Sequence, residues 1–348
     1  MIKNKIIFGI LSIFIIIILC SCSYEKTDNT KPENTIDLFA MDTYMSLKAY
    51  GDNGQTALQK ASEKIKLLEA TMSVTNEKSE IFRLNNANGV KTEISADTGF
   101  LIKRSLEINQ ITGGVFDITL YPVSREWGFT TGKYKVPSNT RINELLKNVG
   151  SENIILNTDE NFVLLENDAN IDLGGIAKGY AGKCAADIIK SEGITSAILN
   201  MGGNVQTVGT KPDGSSWRVG IQDPDDGASL VGTVEIADKA VVTSGGYERY
   251  FEDDEGNIYC HILDPKTGYP AVTDILSVTV IGSDGTTCDA MSTSLFVMGV
   301  EKSVDYLKSE KDYDVVILSN DNKLYITNGV INNFKAIGKF SEYTIITI

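Results

Sequence analysis

One glycine-rich turn and the helix after it set the architecture of this chain, and from residue 172 to residue 180 they read Asp172-Leu173-Gly174-Gly175-Ile176-Ala177-Lys178-Gly179-Tyr180. Apolar residues then recur at every fourth position through 176–190, with alanines beside them, which predicts a helix that packs closely on a sheet. A helix opened by a glycine pair has free amides that can bind a phosphate. The spacing is not that of a P-loop. The turn is therefore either a ligand site or a strand-to-helix turn whose glycines serve packing.

Strand and helix patterns lie on both sides of this turn and cluster by type. Helical periodicity predicts helices over 55–72, 98–112, 141–149, 176–190, 288–298 and 302–308. Alternation predicts strands over 36–49 (with Met41-Asp42-Thr43 embedded), 153–156, 162–166, 196–199, 205–208, 217–222, 231–236, 241–243, 258–263, 275–281, 315–318 and 323–326. Because strands do not alternate strictly with helices, we expect an α+β fold, a single large domain of mixed, mostly antiparallel sheets packed with helices.

The N-terminus has the pattern of a secretory signal. Two lysines precede a nearly unbroken apolar run over 6–19, which is short for a membrane span. The run ends in Leu19-Cys20-Ser21-Cys22, which looks like a bacterial lipobox cleaved before Cys22. Cleavage before Cys20 and an uncleaved signal anchor are the alternatives. We expect a signal peptide over 1–21, a lipidated Cys22 with a flexible tether over 22–35, and a folded domain over 36–348 on the extracytoplasmic face of the cell membrane.

The composition narrows the class of partner. The formal net charge is −14, which argues against binding nucleic acid and against holding anionic lipid by charge. A polyanionic ligand would need a metal ion or a nest of amides. After Cys22 the cysteines are Cys184, Cys260 and Cys288, which form neither a disulfide framework nor a zinc pattern, and His261 is the only histidine.

Two segments carry side chains suited to chemistry. In Asp289-Ala290-Met291-Ser292-Thr293, the first and last residues share a helical face, and a carboxylate with a hydroxyl suits a hard cation such as Mg²⁺. The alternative is a solvated or capping pair. His261 precedes an Asp264-Pro265-x-x-Gly268 turn and is either a proton shuttle or a structural histidine.

Two further turns combine glycines with short polar side chains: Asn200-Met201-Gly202-Gly203-Asn204 and Thr243-Ser244-Gly245-Gly246-Tyr247-Glu248-Arg249. Such turns let backbone approach a planar ligand, and they are equally typical of ordinary hairpins.

Taken together, these segments resemble the ApbE family of flavin transferases over roughly residues 41–300. The motifs follow the family's order: Phe116-Asp117-Ile118-Thr119, then 172–180, 200–204, 243–249, His261-Ile262-Leu263-Asp264-Pro265 and 289–293. The resemblance implies Mg²⁺ bound by the main-chain oxygen of Ala177 with Asp289 and Thr293. It implies that His261 and Asp289 are catalytic. It also implies an FAD site formed by Met41, Thr75, Val115, Phe116, Asp117, Gly174, Tyr180 and Leu276.

By the same resemblance, the chain would transfer FMN from the substrate FAD to a Ser or Thr hydroxyl of an extracytoplasmic redox protein and release AMP. An Mg²⁺-dependent FAD pyrophosphatase and a non-catalytic flavin-binding lipoprotein are the alternatives. The sequence departs from the family pattern at two places. Many members have an aromatic residue where this chain has Thr75-Asn76, and a second histidine where it has Cys260.

Overall fold

The computed structural model describes residues 31–309 and 312–348. The predicted signal peptide and the lipidation site Cys22 lie outside the described residues. Within the described part of the chain, no helix is long and apolar enough to cross a bilayer.

The described residues form seven α-helices and seventeen strands, joined by short 3₁₀ turns. The helices are α1 (Gly54–Met72), α2 (Glu80–Asn85), α3 (Ala96–Ile111), α4 (Tyr121–Trp127), α5 (Asn139–Leu145), α6 (Ala177–Ser191) and α7 (Gly285–Leu307). The strands are β1 (Glu33–Ala40), β2 (Thr43–Tyr50), β3 (Thr92–Glu93), β4 (Ile154–Asn157), β5 (Phe162–Leu165), β6 (Ser196–Met201), β7 (Asn204–Gly209), β8 (Trp217–Asp223), β9 (Asp226–Ile236), β10 (Ala240–Gly245), β11 (Tyr250–Glu252), β12 (Ile258–Cys260), β13 (Ile275–Gly282), β14 (Tyr313–Ser319), β15 (Lys323–Ile326), β16 (Phe334–Ala336) and β17 (Thr344–Thr347).

A nine-stranded sheet, in the order β1-β2-β6-β7-β10-β13-β14-β15-β17, is the centre of the fold. Its pairs are antiparallel except β15 with β17, which is parallel. Successive residues of a strand face opposite sides of the sheet, so each strand can contribute side chains to two hydrophobic cores. In β14, Val315 and Ile317 join the core that contains the helices, whereas Val316 and Leu318 join the core built with β8 and β9. The predicted α+β class with mostly antiparallel sheets is confirmed.

The first predicted strand is wrong as a single element, because it folds back on itself. β1 and β2 pair antiparallel around a two-residue turn, in which Met41 has φ 51° and Asp42 has φ 59°. Two successive positive φ values match the right-handed twist of a hairpin. The folded region also begins earlier than predicted, because residues 33–35, assigned to the tether, belong to β1 and pair with β2.

The two last predicted helices are one helix, α7, with a kink. Gly299 interrupts it at φ 77° and ψ 172°, and the freed amide of Val300 donates to Asp274 Oδ1 at 2.9 Å. The strand predicted over 258–263 ends at Cys260, and Leu263 forms only an isolated bridge with Pro270. His261 therefore lies in the loop after β12. The sequence patterns did not predict α2, α4, β3, β11, β16 or β17.

Candidate active site

The first turns of α6 and α7 meet backbone to backbone. The amide of Gly179 donates to Asp289 Oδ2 at 2.7 Å, across 110 residues of chain. A Cβ at position 179 would lie 2.1 Å from the Gly285 carbonyl oxygen and 2.6 Å from the Asp289 Cβ. No L side chain fits that space, so the absence of a side chain at Gly179 is what brings the two helices together.

We expect Gly179→Ala to destabilise the fold by about 1–3 kcal/mol, because the clash is with backbone that cannot rotate away. Gly182→Ala is the matched control on the same helix. Its Cβ would meet the flexible Met201 Sδ at 3.1 Å, and alanine is favoured over glycine in a helix by roughly 1 kcal/mol. Chemical denaturation of both variants measures the difference. Equal free energies of unfolding would contradict this account of the helix contact.

Asp289 is a buried carboxylate held by neutral donors. Besides the Gly179 amide, Asn204 Nδ2 donates to its Oδ1 at 3.1 Å, and 5% of the residue is exposed. Burial raises the pKa of Asp289, and the positive charge of Lys178 partly opposes that rise. Two amide donors fix the orientation of the carboxylate without neutralising it, so a cation at this place would favour its ionised form.

Hydroxyl groups surround the same turn of α7. Ser244 Oγ lies 2.7 Å from Ser292 Oγ and 3.4 Å from Thr293 Oγ1, and Ser292 Oγ donates to the Asp289 carbonyl at 2.8 Å. The end of β10 is thereby fixed to the helix that carries Asp289, and Thr293 presents its hydroxyl one turn further on.

The oxygen donors gathered here suit a hard divalent cation. Asp289 supplies a carboxylate, Thr293 a hydroxyl, and Ala177 a main-chain carbonyl two residues before the Gly179 contact. Among the described residues, no three His, Cys, Asp or Glu side chains cluster as metal ligands. A metal at this place would therefore use a mixed set with one carboxylate, and the residues present fit Mg²⁺.

The turn that opens α6 packs on the segment after α3. Asp172 Oδ1 accepts from the Gly174 amide at 2.9 Å, and a Cβ at Gly175 would lie 3.1 Å from the Phe116 ring. Asn109 Nδ2 donates to the Phe116 carbonyl at 2.8 Å. The segment that contains Val115 and the buried Phe116 thus packs against the turn that contains Gly174 and Gly175.

Asp117 caps the 3₁₀ turn that follows this segment. Its Oδ1 accepts from the Thr119 amide at 2.8 Å and from the Thr119 hydroxyl at 2.5 Å. Burial raises the pKa of Asp117, and these hydrogen bonds oppose the rise. Asn109 Nδ2, which donates to the Phe116 carbonyl, also donates to Asp117 Oδ2 at 3.3 Å and so links the two residues.

Tyr180 contacts α3, and Met41 contacts the end of α1. The Tyr180 hydroxyl donates to Asp97 Oδ1 at 2.6 Å, and its ring stacks on Phe100 with 5.2 Å between centroids. The Met41 amide donates to Glu69 Oε1, near the end of α1, at 2.6 Å. The Met41 turn lies at the same end of the sheet as the β6–β7 turn, because β2 pairs with β6 there.

Leu276 and Thr75 occupy the remaining predicted positions. The Leu276 carbonyl lies 3.1 Å from where a Gly245 Cβ would be, which places it against the turn after β10. Thr75 is exposed in the loop after α1, and its hydrogen bonds within the described residues are to Ser73. Thr75 therefore makes no described contact to the other predicted site residues, and the contacts given above for Met41, Tyr180 and Leu276 are likewise to residues outside that set.

His261 is held by one backbone carbonyl at two points. Its amide and its Nδ1 each lie 3.0 Å from the Arg249 oxygen. Burial, together with the charges of Arg249 and Lys178, lowers the pKa of His261 to about 4, although the hydrogen bond with the Arg249 carbonyl opposes this change. The imidazole is therefore neutral at physiological pH and able to accept a proton.

Four residues of the quoted motifs contribute to the site although they are not among the residues predicted for it. Asn204 and Ser244 contribute through the hydrogen bonds given above. Lys178 and Glu248 contribute through their charges. Lys178 influences the pKa of Asp289, His261 and Glu248. Glu248 keeps an exposed edge while protein surrounds the rest, and this desolvation raises its pKa to about 7. The sequence places all four residues in glycine-rich motifs, but membership of a motif does not show which side chains come together in the fold.

This architecture is an α+β domain in which polar groups of α6, α7 and the end of β10 meet, and comparison with known proteins narrows the class of protein. The sequence profile of the ApbE family matches residues 41–317. The chain belongs to the ApbE family.

Curated relatives and solved structures agree with that assignment. An FAD:protein FMN transferase of Klebsiella pneumoniae is 31% identical over 81% of this chain and 88% of its own length. One of Haemophilus influenzae is 29% identical over 92% of this chain and 94% of its own. The ApbE protein of Thermotoga maritima superposes with a TM-score of 0.78 at 32% identity, covering 90% of this chain and 99% of that one. The flavin transferase ApbE of Vibrio cholerae superposes with a TM-score of 0.75 at 26% identity, covering 90% of this chain and 99% of that one.

Proposed function

We propose that this chain is an FAD:protein FMN transferase, which moves FMN from FAD to a Thr or Ser hydroxyl of an extracytoplasmic client protein and releases AMP. One observation carries the proposal: Gly179 and Asn204, from distant motifs, both donate to the buried Asp289 carboxylate. The names of the curated relatives support the same activity.

The metal ligands would be Asp289, Thr293 and the main-chain oxygen of Ala177. When bound there, Mg²⁺ supplies positive charge that offsets the charge of a pyrophosphate and of the departing phosphate. Lys178 adds a second positive charge, which acts to lower the pKa of Asp289 and of Glu248. In a chain of net charge −14, Mg²⁺ and Lys178 would supply the positive charge that offsets the phosphates of a dinucleotide.

The flavin and its phosphates would lie along the surface made by the α6 opening and its neighbours. Gly174, Phe116, Val115 and Asp117 line one side, and Met41, Tyr180, Leu276 and Thr75 complete the proposed FAD site. The Asp172 and Asn109 hydrogen bonds hold the first side in shape, so the surface is preorganised before the substrate arrives.

The transfer step needs a group that accepts the proton of the client hydroxyl. The bond between the acceptor oxygen and the FMN phosphorus forms as the bond from that phosphorus to the bridging oxygen breaks, and AMP leaves with the electron pair. His261 is proposed to take the proton, since it is neutral and its Nδ1 is already engaged with the Arg249 carbonyl. Such base assistance is typically worth ~10²–10⁴-fold.

A flavinylation assay tests the proposal. The full chain, purified in detergent, is incubated with FAD, Mg²⁺ and a candidate redox client, and covalent flavin fluorescence is sought on a denaturing gel. Labelled client with release of AMP is expected. AMP without label would instead establish the pyrophosphatase reaction, in which water replaces the client hydroxyl. Bound FAD with neither product would leave only a flavin-binding lipoprotein and overturn the proposal.

We propose that the enzyme works at the extracytoplasmic face of the cell membrane, attached through lipid on Cys22. The lipobox-like sequence supports this location, as does the polar segment that follows it. Clients would be membrane-associated electron-transfer proteins with a short Ser/Thr motif. Metabolic labelling with a lipid precursor, in the wild type and in Cys22→Ala, tests the anchor.

A further inference from the structure

The backbone contact at His261 determines which ring nitrogen carries the proton. The Arg249 carbonyl lies 3.0 Å from Nδ1, and a carbonyl oxygen can only accept a hydrogen bond. Nδ1 must therefore be the N–H of the neutral ring, which leaves the lone pair on Nε2. The His261 amide donates to the same oxygen, so the ring and its own backbone are fixed to a single atom.

The side chain of Arg249 fixes the position of that carbonyl. Its Nη2 donates to the carbonyl of Phe129, in the segment after α4. The Phe129 ring in turn lies edge-on to the His261 ring, with 6.5 Å between centroids. Burial raises the pKa of Asp172 in the turn that opens α6, and the Arg249 charge is among the influences that oppose this rise. One arginine thus connects His261 to the Phe129 segment, and its charge acts on the α6 turn.

We propose that Arg249 is a positioning residue for His261: its anchored guanidinium holds the carbonyl that keeps Nδ1 protonated and leaves Nε2 free to accept the client's proton. The tautomer follows from the contacts of Arg249 alone. Its catalytic consequence rests on the proposed function.

Nuclear magnetic resonance of the ¹⁵N-histidine-labelled full chain in detergent reads this tautomer directly, because the chain contains a single histidine. Near neutral pH, the wild type is expected to show a neutral ring protonated at Nδ1. Arg249→Met, which removes the anchor, is expected to show a mixture of the two tautomers. Arg249→Lys, which keeps the charge and one donor but loses the planar fork, is expected to lie between them.

Kinetics separate positioning from a purely structural role. In Arg249→Met, kcat for transfer is expected to fall about tenfold, which corresponds to about 1.4 kcal/mol, with the KM for FAD unchanged. Arg218→Met is the matched control, since Arg218 is an exposed arginine paired with Glu235 on β9. It should change neither the tautomer nor kcat.

Two results would overturn the inference: an unchanged Nδ1–H tautomer in Arg249→Met, or a loss of kcat in both Arg249 variants with the tautomer intact. If the wild type holds the tautomer but labels no client, the proposed function fails and the catalytic part of this inference fails with it. The dependence of the tautomer on Arg249 would still be established by the spectra.

Discussion

Asp289→Ala is expected to abolish both flavin transfer and FAD hydrolysis, lowering turnover at least about 10³-fold. Charge stabilisation by a bound metal contributes several kcal/mol, and each 1.36 kcal/mol is a factor of ten. The variant removes the one carboxylate proposed as a metal ligand, and with it the acceptor of the Gly179 and Asn204 hydrogen bonds. Turnover of FAD with and without Mg²⁺ measures the effect. Magnesium-dependent turnover that survives in this variant would refute the metal assignment.

Thermal unfolding separates loss of the metal site from loss of the fold. Because burial raises the pKa of Asp289, the stability that this group contributes is present below the ordinary carboxyl pKa of about 4 and is lost as the pH rises through the higher folded value. Relative to Asp289→Ala, metal-free wild type should therefore lose stability toward neutral pH, and Mg²⁺ should restore it. The control Asp305→Asn, an exposed aspartate on the same helix, should keep the full Mg²⁺ response.

His261→Gln is expected to slow transfer by ~10²–10⁴-fold while FAD affinity changes little, because a base acts in the chemical step. The pH profile gives a second signature. Burial is the main reason that the pKa of His261 is lowered to about 4, so at saturating Mg²⁺, which keeps Asp289 ionised, the wild-type rate should stay level from neutral pH down to that value and fall below it. Single-turnover transfer and equilibrium FAD titration are the measurements. Equal losses in binding and transfer would point to a structural histidine.

Local patterns in the sequence predicted the longer helices and most strands of the central sheet, because each of these elements has its own periodicity. The β1–β2 turn escaped prediction, since Met41 and Asp42 take positive φ without the Asn-Gly or Gly-Gly pair that usually marks such a turn. Gly299 was a visible break, but whether a glycine ends a helix or kinks it depends on a partner such as Asp274, which the local pattern does not contain.

The site was harder to predict for the same reason. The Gly179–Asp289 and Asn204–Asp289 hydrogen bonds span 110 and 85 residues. No local spacing encodes such pairs. The family resemblance supplied the list of motifs, and only the fold shows that Asn204 and Ser244 support Asp289 and that Arg249 supports His261.

The contact between α6 and α7 has a consequence for how sequences of this kind can diverge. A Cβ at Gly285 would lie 2.9 Å from the Gly179 carbonyl oxygen, just as one at Gly179 would strike the Gly285 carbonyl. Main chain rather than side chains therefore sets the separation of the two helices. Substitutions elsewhere on their surfaces can accumulate without shifting the carboxylate, so long as both glycines persist. Mutational tolerance should consequently fall sharply at these two positions and stay broad around them.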